Sequence, residues 1–243
     1  EFMVEQLVGP GVGVPKSWYP AQMWPEDLGY LGYDVDLARE LLTEAGWVDH
    51  DGDEGSAEIP TPRQNADGVE LTGLRLTTTV NELRNNYQLV IQDYLAQVGI
   101  GVELVQVTSN HFGGFNEDGT LAAYHFEMSI FANSADPLSP ATSIESYTCS
   151  GIPSAENPGG FNPWQFCNEE YDETDRMISQ TYAGPERDAL IDTAVTLFYE
   201  GTFWNGLRNR PTYYALRADR WDASTFYAMG TLSTNYMEFS EYW

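Results

Sequence analysis

Basic residues are scarce in this chain of 243 residues. Eleven Lys and Arg side chains stand against 37 Asp and Glu, which gives a formal net charge of −26, and Lys16 is the single lysine. A surface of this sign repels nucleic acid and anionic membranes, so neither is expected as a partner. Two interpretations of the acidity stay open: a solubilising surface in an extracellular or salty setting, or attraction of cationic ligands.

Long apolar runs are also missing. No stretch approaches the roughly 20 consecutive apolar residues that a membrane-spanning helix needs. Residues 1–8 read as the end of a helix and not as the start of a chain. Either Glu1 and Phe2 are a cloning remnant or the native chain continues upstream, and we expect the sequence to be a fragment of a longer protein.

Cysteine occurs only twice, at Cys149 and Cys167. The stretch between them is rich in Gly, Pro, Ser and Asn and can bend back, so a disulfide worth about 3 kcal/mol is predicted in an oxidising compartment. Two free buried thiols are the alternative. The three histidines (His50, His111 and His125) show no ligand spacing with these cysteines, so a zinc site is not expected.

Alternating strand and helix patterns fill the middle of the chain. Residues 74–80 and 102–107 alternate as strands around a helical pattern at 82–98, which predicts a right-handed parallel β-α-β unit. A helix is expected at 34–46, capped by Asp34. A third strand is expected at 126–131. The predicted fold class is therefore α/β.

The second half of the chain has a different pattern. A short helix is expected at 138–147, and a helical hairpin at 168–182 and 185–200, with Pro185 at the first position of its second helix. Short strands are expected at 202–207 and 212–216. The remaining tail is rich in aromatic residues and lacks clear periodicity.

An acidic loop lies at residues 49–68. Asp49, Asp51 and Asp53 have the alternating carboxylates of a calcium loop, but Glu54 stands where a Gly should turn the chain and Pro60 where a bidentate Glu should lie. A solvated loop is the preferred interpretation, and a calcium site is the alternative.

Several short motifs follow one another between residues 7 and 220. They are Tyr33-Asp34 to Gly46-Trp47, Ile91-Gln92, Val98 to Leu104, Asp136-Pro137, Asn168 to Asp172 after Trp164, and Arg210-Pro211 before Tyr213 to Arg217. Their order and spacing resemble the family 5 extracellular solute-binding proteins, the dipeptide- and oligopeptide-binding group. The cysteine pair also resembles one found in dipeptide-binding relatives.

The resemblance implies an architecture. The fold would be the C-terminal lobe of a two-lobed periplasmic-binding-protein fold (type II-like), with a mixed β-sheet and flanking helices. Residues 1–33 would form an extended inter-lobe segment and 34–220 the ligand-binding lobe. Residues 221–243 would return to a missing N-terminal lobe of the same protein.

The resemblance also implies a function. The protein would be the capture component of an ABC importer, without a cofactor, binding a peptide or an oligosaccharide and delivering it to permease subunits. The location would be periplasmic or extracellular, as a lipoprotein or a secreted protein.

The predicted binding residues lie at the turn after the third strand and in the Cys149–Cys167 loop. Asn133 stands where peptide-binding members carry an aspartate that holds the peptide's amino terminus, and a neutral amide weakens the case for a peptide. Phe131, Phe161 and Trp164 would form a wall or stacking surface. Asp136 would brace the turn. Arg208 or Arg210 would meet an anionic group or form a structural ion pair.

Two other function classes compete with this one. A glycoside hydrolase needs two carboxylates at a defined separation, but with 37 acidic residues such a pair carries no information. No nucleophile elbow, metal-binding helix motif or phosphate-binding Gly loop is present, so we expect no enzyme. An extracellular scaffold module would instead show a flat aromatic surface and no cleft at Asn133.

Overall fold

The computed structural model describes residues 2–9, 13–19, 23–29, 32–53, 60–112, 124–132, 140–208, 217 and 219–220. The chain divides into one unit of residues 1–209 and a second unit of residues 210–243. In the second unit, Arg217 and Asp219 form an ion pair with an N–O distance of 2.6 Å. The strand predicted at 212–216 lies outside the described residues, and the predicted boundaries after residues 33 and 220 remain predictions.

Helices and strands alternate through the first unit. The helices are α1 (Phe2–Val8), α2 (Val35–Glu44), α3 (Glu82–Ala96), α4 (Ser109–Phe112), α5 (Pro140–Glu145), α6 (Glu169–Gln180) and α7 (Pro185–Glu200). The strands are β1 (Leu74–Thr79), β2 (Val102–Val107) and β3 (Met128–Ile130). Among the described residues, no helix is both long and apolar enough to cross a membrane.

The three described strands form a parallel sheet in the order β2-β1-β3. Leu76 of β1 lies opposite Leu104 of β2 and Met128 of β3. The predicted β-α-β unit is therefore confirmed, with α3 as its crossover. Antiparallel pairing is present outside the named strands, as isolated bridges from Gln64 to Val48 and to Glu70.

Polar residues are buried in β1, the central strand of the sheet. Thr77 and Thr78 of β1 are buried because strands flank them on both sides. The Thr78 hydroxyl donates a 2.6 Å hydrogen bond to the carbonyl oxygen of Ile130 on β3. This bond offsets the cost of burying the hydroxyl and ties the short third strand to the centre of the sheet.

The helix ends follow the local sequence. Asp34 accepts a 2.9 Å hydrogen bond from the backbone N–H of Leu37, as its predicted capping role requires. Gly46 follows α2 with φ +87°, a conformation that L side chains rarely adopt. Asn168 caps α6 through the N–H groups of Glu170 and Tyr171.

The larger apolar core lies around the hairpin of α6 and α7. Tyr171 and Ile178 of α6 pack there with residues of α7, and Tyr19, Met23 and Leu28 of the Pro- and Gly-rich segment are buried in the same cluster. This segment therefore packs on the core through its aromatic and apolar side chains, as expected. A smaller cluster, Leu76, Tyr87 and Ile130, lies against the sheet.

Some local predictions were wrong. Residues 202–207 form no strand, because Phe203 and Trp204, which are consecutive, both pack against the larger core and so break the alternation of a strand. The third strand covers only Met128–Ile130 of the predicted 126–131. The short helix α4 at Ser109–Phe112 was not predicted from the sequence.

Candidate functional site

The carboxyl ends of the three strands meet at one edge of the sheet, because all three run in the same direction. Phe131 follows β3 directly, and Phe112 ends the short helix that follows β2. The rings of these two residues lie in edge contact, with centroids 5.9 Å apart. Ligands of open α/β sheets bind at this edge, so the topology supports the predicted position of the site.

The aromatic wall is the name used here for Phe131, Phe161 and Trp164, the three rings predicted to line the ligand. The rings of Phe131 and Trp164 are stacked, with centroids 5.6 Å apart and an interplanar angle of 23°. The ring of Tyr147 lies 5.3 Å from Trp164 and 6.2 Å from Phe161. The structure therefore links the three predicted rings in one row, in which Tyr147 lies between Phe161 and Trp164.

Exposure distinguishes the members of the aromatic wall. The Phe161 side chain is 45% exposed, whereas Phe131 and Trp164 are half-buried and Tyr147 is fully buried. Trp164 also meets the ring of Phe203, at 5.9 Å, and one of its faces is covered by Phe131. Phe161 is thus the ring most available to a ligand, whereas Trp164 is packed against Phe131 and Phe203.

The loop that carries Phe161 and Trp164 is closed by a disulfide. Cys149 and Cys167 are bonded, with their Cα atoms 4.5 Å apart, so the prediction of a disulfide is confirmed over that of free thiols. The Asp172 carboxylate on α6 accepts the backbone N–H of Cys149 at 3.0 Å. One end of the loop is thereby fixed to α6 as well as to the other cysteine.

The remaining predicted binding residues are not all described. Asn133, Asp136 and Arg210 lie outside the described residues. Arg208 is half-buried beside Tyr87, whose pKa is raised by burial and lowered by the charge of Arg208, with burial the larger effect. Leu207 packs against the smaller cluster that contains Tyr87, so Arg208 lies over the sheet.

The acidic loop holds the carboxylates that could bind a metal ion. Oxygen atoms of Asp49, Asp51 and Asp53 all lie within 4.8 Å of one another. Thr61 donates hydrogen bonds to two of the carboxylates. Its hydroxyl donates to Asp51 at 2.7 Å, and its backbone N–H donates to Asp53 at 2.9 Å. The hydrogen bond from Thr61 is the main cause of the lowered pKa of Asp51. A calcium site here stays a prediction.

A second acidic feature was not expected from the sequence. An open depression of about 640 Å³ lies between residues 25–27 and α7, with Asp27 and Asp192 in its lining. Burial raises the pKa of Asp192, and the charges of Asp188 and Asp27 add to the effect. Pairs of carboxylates that come from distant parts of the chain cannot be recognised in a sequence this acidic.

Sequence reasoning also missed supporting members of the aromatic site. Trp18 lies 6.4 Å from the ring of Phe161 and 5.6 Å from that of Tyr147, although it is far from both in the chain. Its position in a Pro- and aromatic-rich segment was a signal for packing on a surface. Nothing in the local sequence indicates which surface.

The comparisons with known proteins bear on the family and the fold of the chain. The family model of the bacterial extracellular solute-binding proteins, family 5 middle, matches residues 1–154. No curated protein sequence matches the chain.

Solved structures of similar fold cover most of the chain. An oligopeptide-binding protein from Thermus thermophilus, complexed with a pentapeptide, has a TM-score of 0.68 at 20% identity over 86% of this chain and 35% of its own. The oligopeptide-binding protein AppA from Bacillus subtilis, in complex with a nonapeptide, has a TM-score of 0.63 at 18% identity over 86% of this chain and 38% of its own.

A third similar structure binds a different kind of ligand. NikZ from Campylobacter jejuni, in complex with Ni(L-His), has a TM-score of 0.62 at 17% identity over 82% of this chain and 37% of its own. The chain thus spans 35–38% of the length of these three proteins. At these identities, the likeness establishes the fold.

Proposed function

The chain belongs to the bacterial extracellular solute-binding proteins of family 5, and we propose that it helps to capture an oligopeptide or an oligosaccharide outside the membrane for an ABC importer. Delivery of the ligand to permease subunits is part of this proposal. The protein is not an enzyme in this proposal, and it acts in the periplasm or outside the cell as a lipoprotein or a secreted protein.

The observation that carries the proposal is the aromatic wall at the carboxyl edge of the parallel sheet. Phe161 offers an exposed ring, and the buried ring of Tyr147 connects it to the stacked pair of Phe131 and Trp164. Flat apolar rings bind the apolar faces of sugars and the side chains of peptides, and polar groups nearby give orientation. Asn133, two residues beyond Phe131, is the proposed hydrogen-bonding group.

A second lobe is part of the proposal because this chain spans 35–38% of the similar solved proteins. In a hinged clamp, the ligand contacts both lobes when they close on it. The partner lobe would therefore supply the other half of the site. Arg208 or Arg210 is proposed to meet an anionic group of the ligand, with a structural ion pair as the alternative.

Two of the three similar structures described above contain peptides, a nonapeptide and a pentapeptide. They favour a peptide for this chain. The neutral amide of Asn133, where the resemblance leads us to expect an aspartate, favours an oligosaccharide, since an amide cannot supply the negative charge that strengthens a bond to an ammonium group. Both ligand classes therefore belong in the first test.

Isothermal titration calorimetry of the full-length protein against a pool of pentapeptides and a panel of oligosaccharides tests the proposal. We expect heat with one class, and about a fivefold weaker Kd in the variant Phe161→Ala, because a ring contact is worth on the order of 1 kcal/mol. Tyr182→Ala is the matched control, since Tyr182 is 95% exposed. No heat with either class contradicts capture, and turnover of a glycoside points to the hydrolase alternative.

A further inference from the structure

Asn162 is a fully buried amide in the loop that carries the exposed Phe161. Its side chain is 0% exposed, whereas that of Phe161, its neighbour in the chain, is 45% exposed. Trp164, the other wall residue of this loop, follows two positions later. A buried amide beside two wall residues suggests that its hydrogen bonds fix the conformation of the loop.

The hydrogen bonds of Asn162 connect the two ends of the disulfide loop. Its Nδ2 group donates to the carbonyl oxygens of Tyr147 at 3.2 Å, Thr148 at 3.1 Å and Phe166 at 2.7 Å. Its Oδ1 atom accepts the backbone N–H of Phe166 at 3.3 Å. Its own backbone N–H donates to the carbonyl oxygen of Gly151 at 3.0 Å. One residue therefore joins the segment before Cys149 to both ends of the loop, at Gly151 and at Phe166.

The chain around Asn162 leaves little room for adjustment. A Cβ atom added to Gly160 would lie 2.5 Å from the carbonyl oxygen of Gly151 and 2.7 Å from the backbone nitrogen of Pro153. Gly160 is thus needed for the close approach of two parts of the loop. With the backbone held on both sides, Phe161 can point outward while Trp164 packs on Phe131.

We infer that Asn162 is a positioning residue for the ligand: it does not contact the ligand but fixes Phe161 and Trp164 in the aromatic wall. The inference rests on the proposed function for its ligand. The geometric part, that Asn162 sets the conformation of the loop, is independent of which solute is bound. A buried carbonyl without a hydrogen-bond partner is costly. Loss of the amide should therefore open the loop, so that the carbonyl groups that it had bound reach water.

The test compares Asn162→Ala with Gln88→Ala. Gln88 is also 0% exposed and also donates its amide to backbone carbonyls, those of Leu76 at 2.5 Å and Val105 at 3.0 Å. It lies on α3 under the sheet, outside the disulfide loop. Both variants should lose comparable stability, so any effect confined to Asn162→Ala reports on the loop.

The first measurement needs no ligand. Chymotrypsin cuts after aromatic residues, and fragments separated after reduction give the rate of cleavage after Phe161, with cleavage after the exposed Tyr182 as an internal reference. We expect at least a tenfold increase at Phe161, relative to Tyr182, in Asn162→Ala and less than a twofold change in Gln88→Ala. Because residue 162 is part of the cleaved bond, each rate at Phe161 is divided by that of an unfolded synthetic peptide with the same residues around the cut.

The second measurement is the affinity of the full-length protein for a pool of synthetic pentapeptides. We expect at least a fivefold weaker Kd for Asn162→Ala and an unchanged Kd for Gln88→Ala. Unchanged cleavage at Phe161 overturns the inference, and so does faster cleavage with unchanged affinity. If the parent protein binds no pentapeptide, the peptide form of the proposed function fails, and the cleavage rates alone decide the role of Asn162.

Asn162→Ser provides a second variant if the alanine variant does not fold. Its hydroxyl keeps one donor, so we expect an intermediate rate of cleavage after Phe161 and an intermediate Kd. A serine variant that matches the parent in both measurements counts against the inference, because two of the three donated hydrogen bonds would then be dispensable.

Discussion

Asp175 is a half-buried carboxylate on α6 with acidic neighbours. Burial raises its pKa to about 6, and the charges of Glu145 on α5 and of Asp172 add to the effect. The buried tyrosines Tyr19 and Tyr171, whose hydroxyls are hydrogen-bonded to each other, also sense its charge. At neutral pH this carboxylate therefore opposes folding.

Asp175→Asn should raise the free energy of unfolding at pH 7 by about 1 kcal/mol, a value reduced for partial exposure to solvent. Between pH about 4 and about 6, the folded parent binds more protons at this site than the unfolded chain does. The stability of the parent should therefore rise relative to the variant as the pH falls through that window. Urea unfolding of the parent and the variant at pH 7 and pH 4.5 measures the gain at pH 7 and its decrease at lower pH.

Glu173→Gln is the matched control on the same helix, since it removes the same charge. The Glu173 carboxylate is paired with Arg176, and the resulting hydrogen bond lowers its pKa. The control should therefore show no gain at pH 7. An equal gain in both variants would mean that relief of the overall negative charge, and not the surroundings of Asp175, is the cause.

At the scale of elements, the short strand β3 depends on contacts at its two ends. Before it, the Glu127 carboxylate accepts hydrogen bonds from the backbone N–H of Arg75 at 2.7 Å and from its guanidinium at 2.9 and 2.8 Å. After it, Phe131 enters the aromatic wall. A strand of three residues is thereby held to β1 by an ion pair and by its backbone, and to the disulfide loop by a ring stack.

Glu127→Gln should lower the free energy of unfolding by about 0.5–1 kcal/mol at pH 7, because the pair is bidentate but partly exposed. The hydrogen bond with Arg75 lowers the pKa of Glu127 to about 2. The contribution is therefore present above pH about 4.5 and lost as the pH falls towards 2. Denaturant unfolding of parent and variant across this range should show the difference shrinking.

Glu103→Gln provides the comparison for this ion pair. Glu103 of β2 lies opposite Arg75 in the sheet and interacts with it through charge. Its loss should cost less than that of Glu127, which makes the direct hydrogen bonds. Equal losses would mean that general electrostatics, and not the bidentate contact, holds β3 in place.

The disulfide loop is the second element that depends on contacts distant in sequence. Replacing Cys149 and Cys167 together by serine should lower the free energy of unfolding by about 3 kcal/mol, as expected for cysteines separated by 18 residues. Thermal unfolding with and without a reductant measures this. The reductant should lower the melting temperature of the parent to that of the double variant and leave the variant unchanged. If the reductant also lowers the melting temperature of the variant, the loss has a cause other than the disulfide.

At the scale of the whole molecule, this chain spans 35–38% of the similar solved proteins. We therefore predict that the 243 residues bind a pentapeptide pool or an oligosaccharide at least about a hundredfold more weakly than the full-length protein, because a clamp needs both lobes. Titration of both forms with the same ligand checks this. Comparable affinities would locate the whole site within this chain.

Much of the secondary structure followed from local sequence. The helices at Asp34, Pro185 and Asn168 have their capping or first-turn residues in the chain itself, and the alternation of residues 102–107 predicted β2 to the residue. The order and spacing of the motifs pointed to an extracellular solute-binding family without any structure.

What local sequence could not supply was the set of contacts between distant segments. Residues 203 and 204 were predicted to lie in a strand, but both side chains pack into the core. Phe203 contacts the rings of Phe166 and Phe198, and Trp204 contacts the ring of Trp18. The aromatic wall likewise depends on a loop closed by a disulfide and by Asn162. Periodicity records only neighbours along the chain, whereas burial of these rings depends on which segments fold against one another.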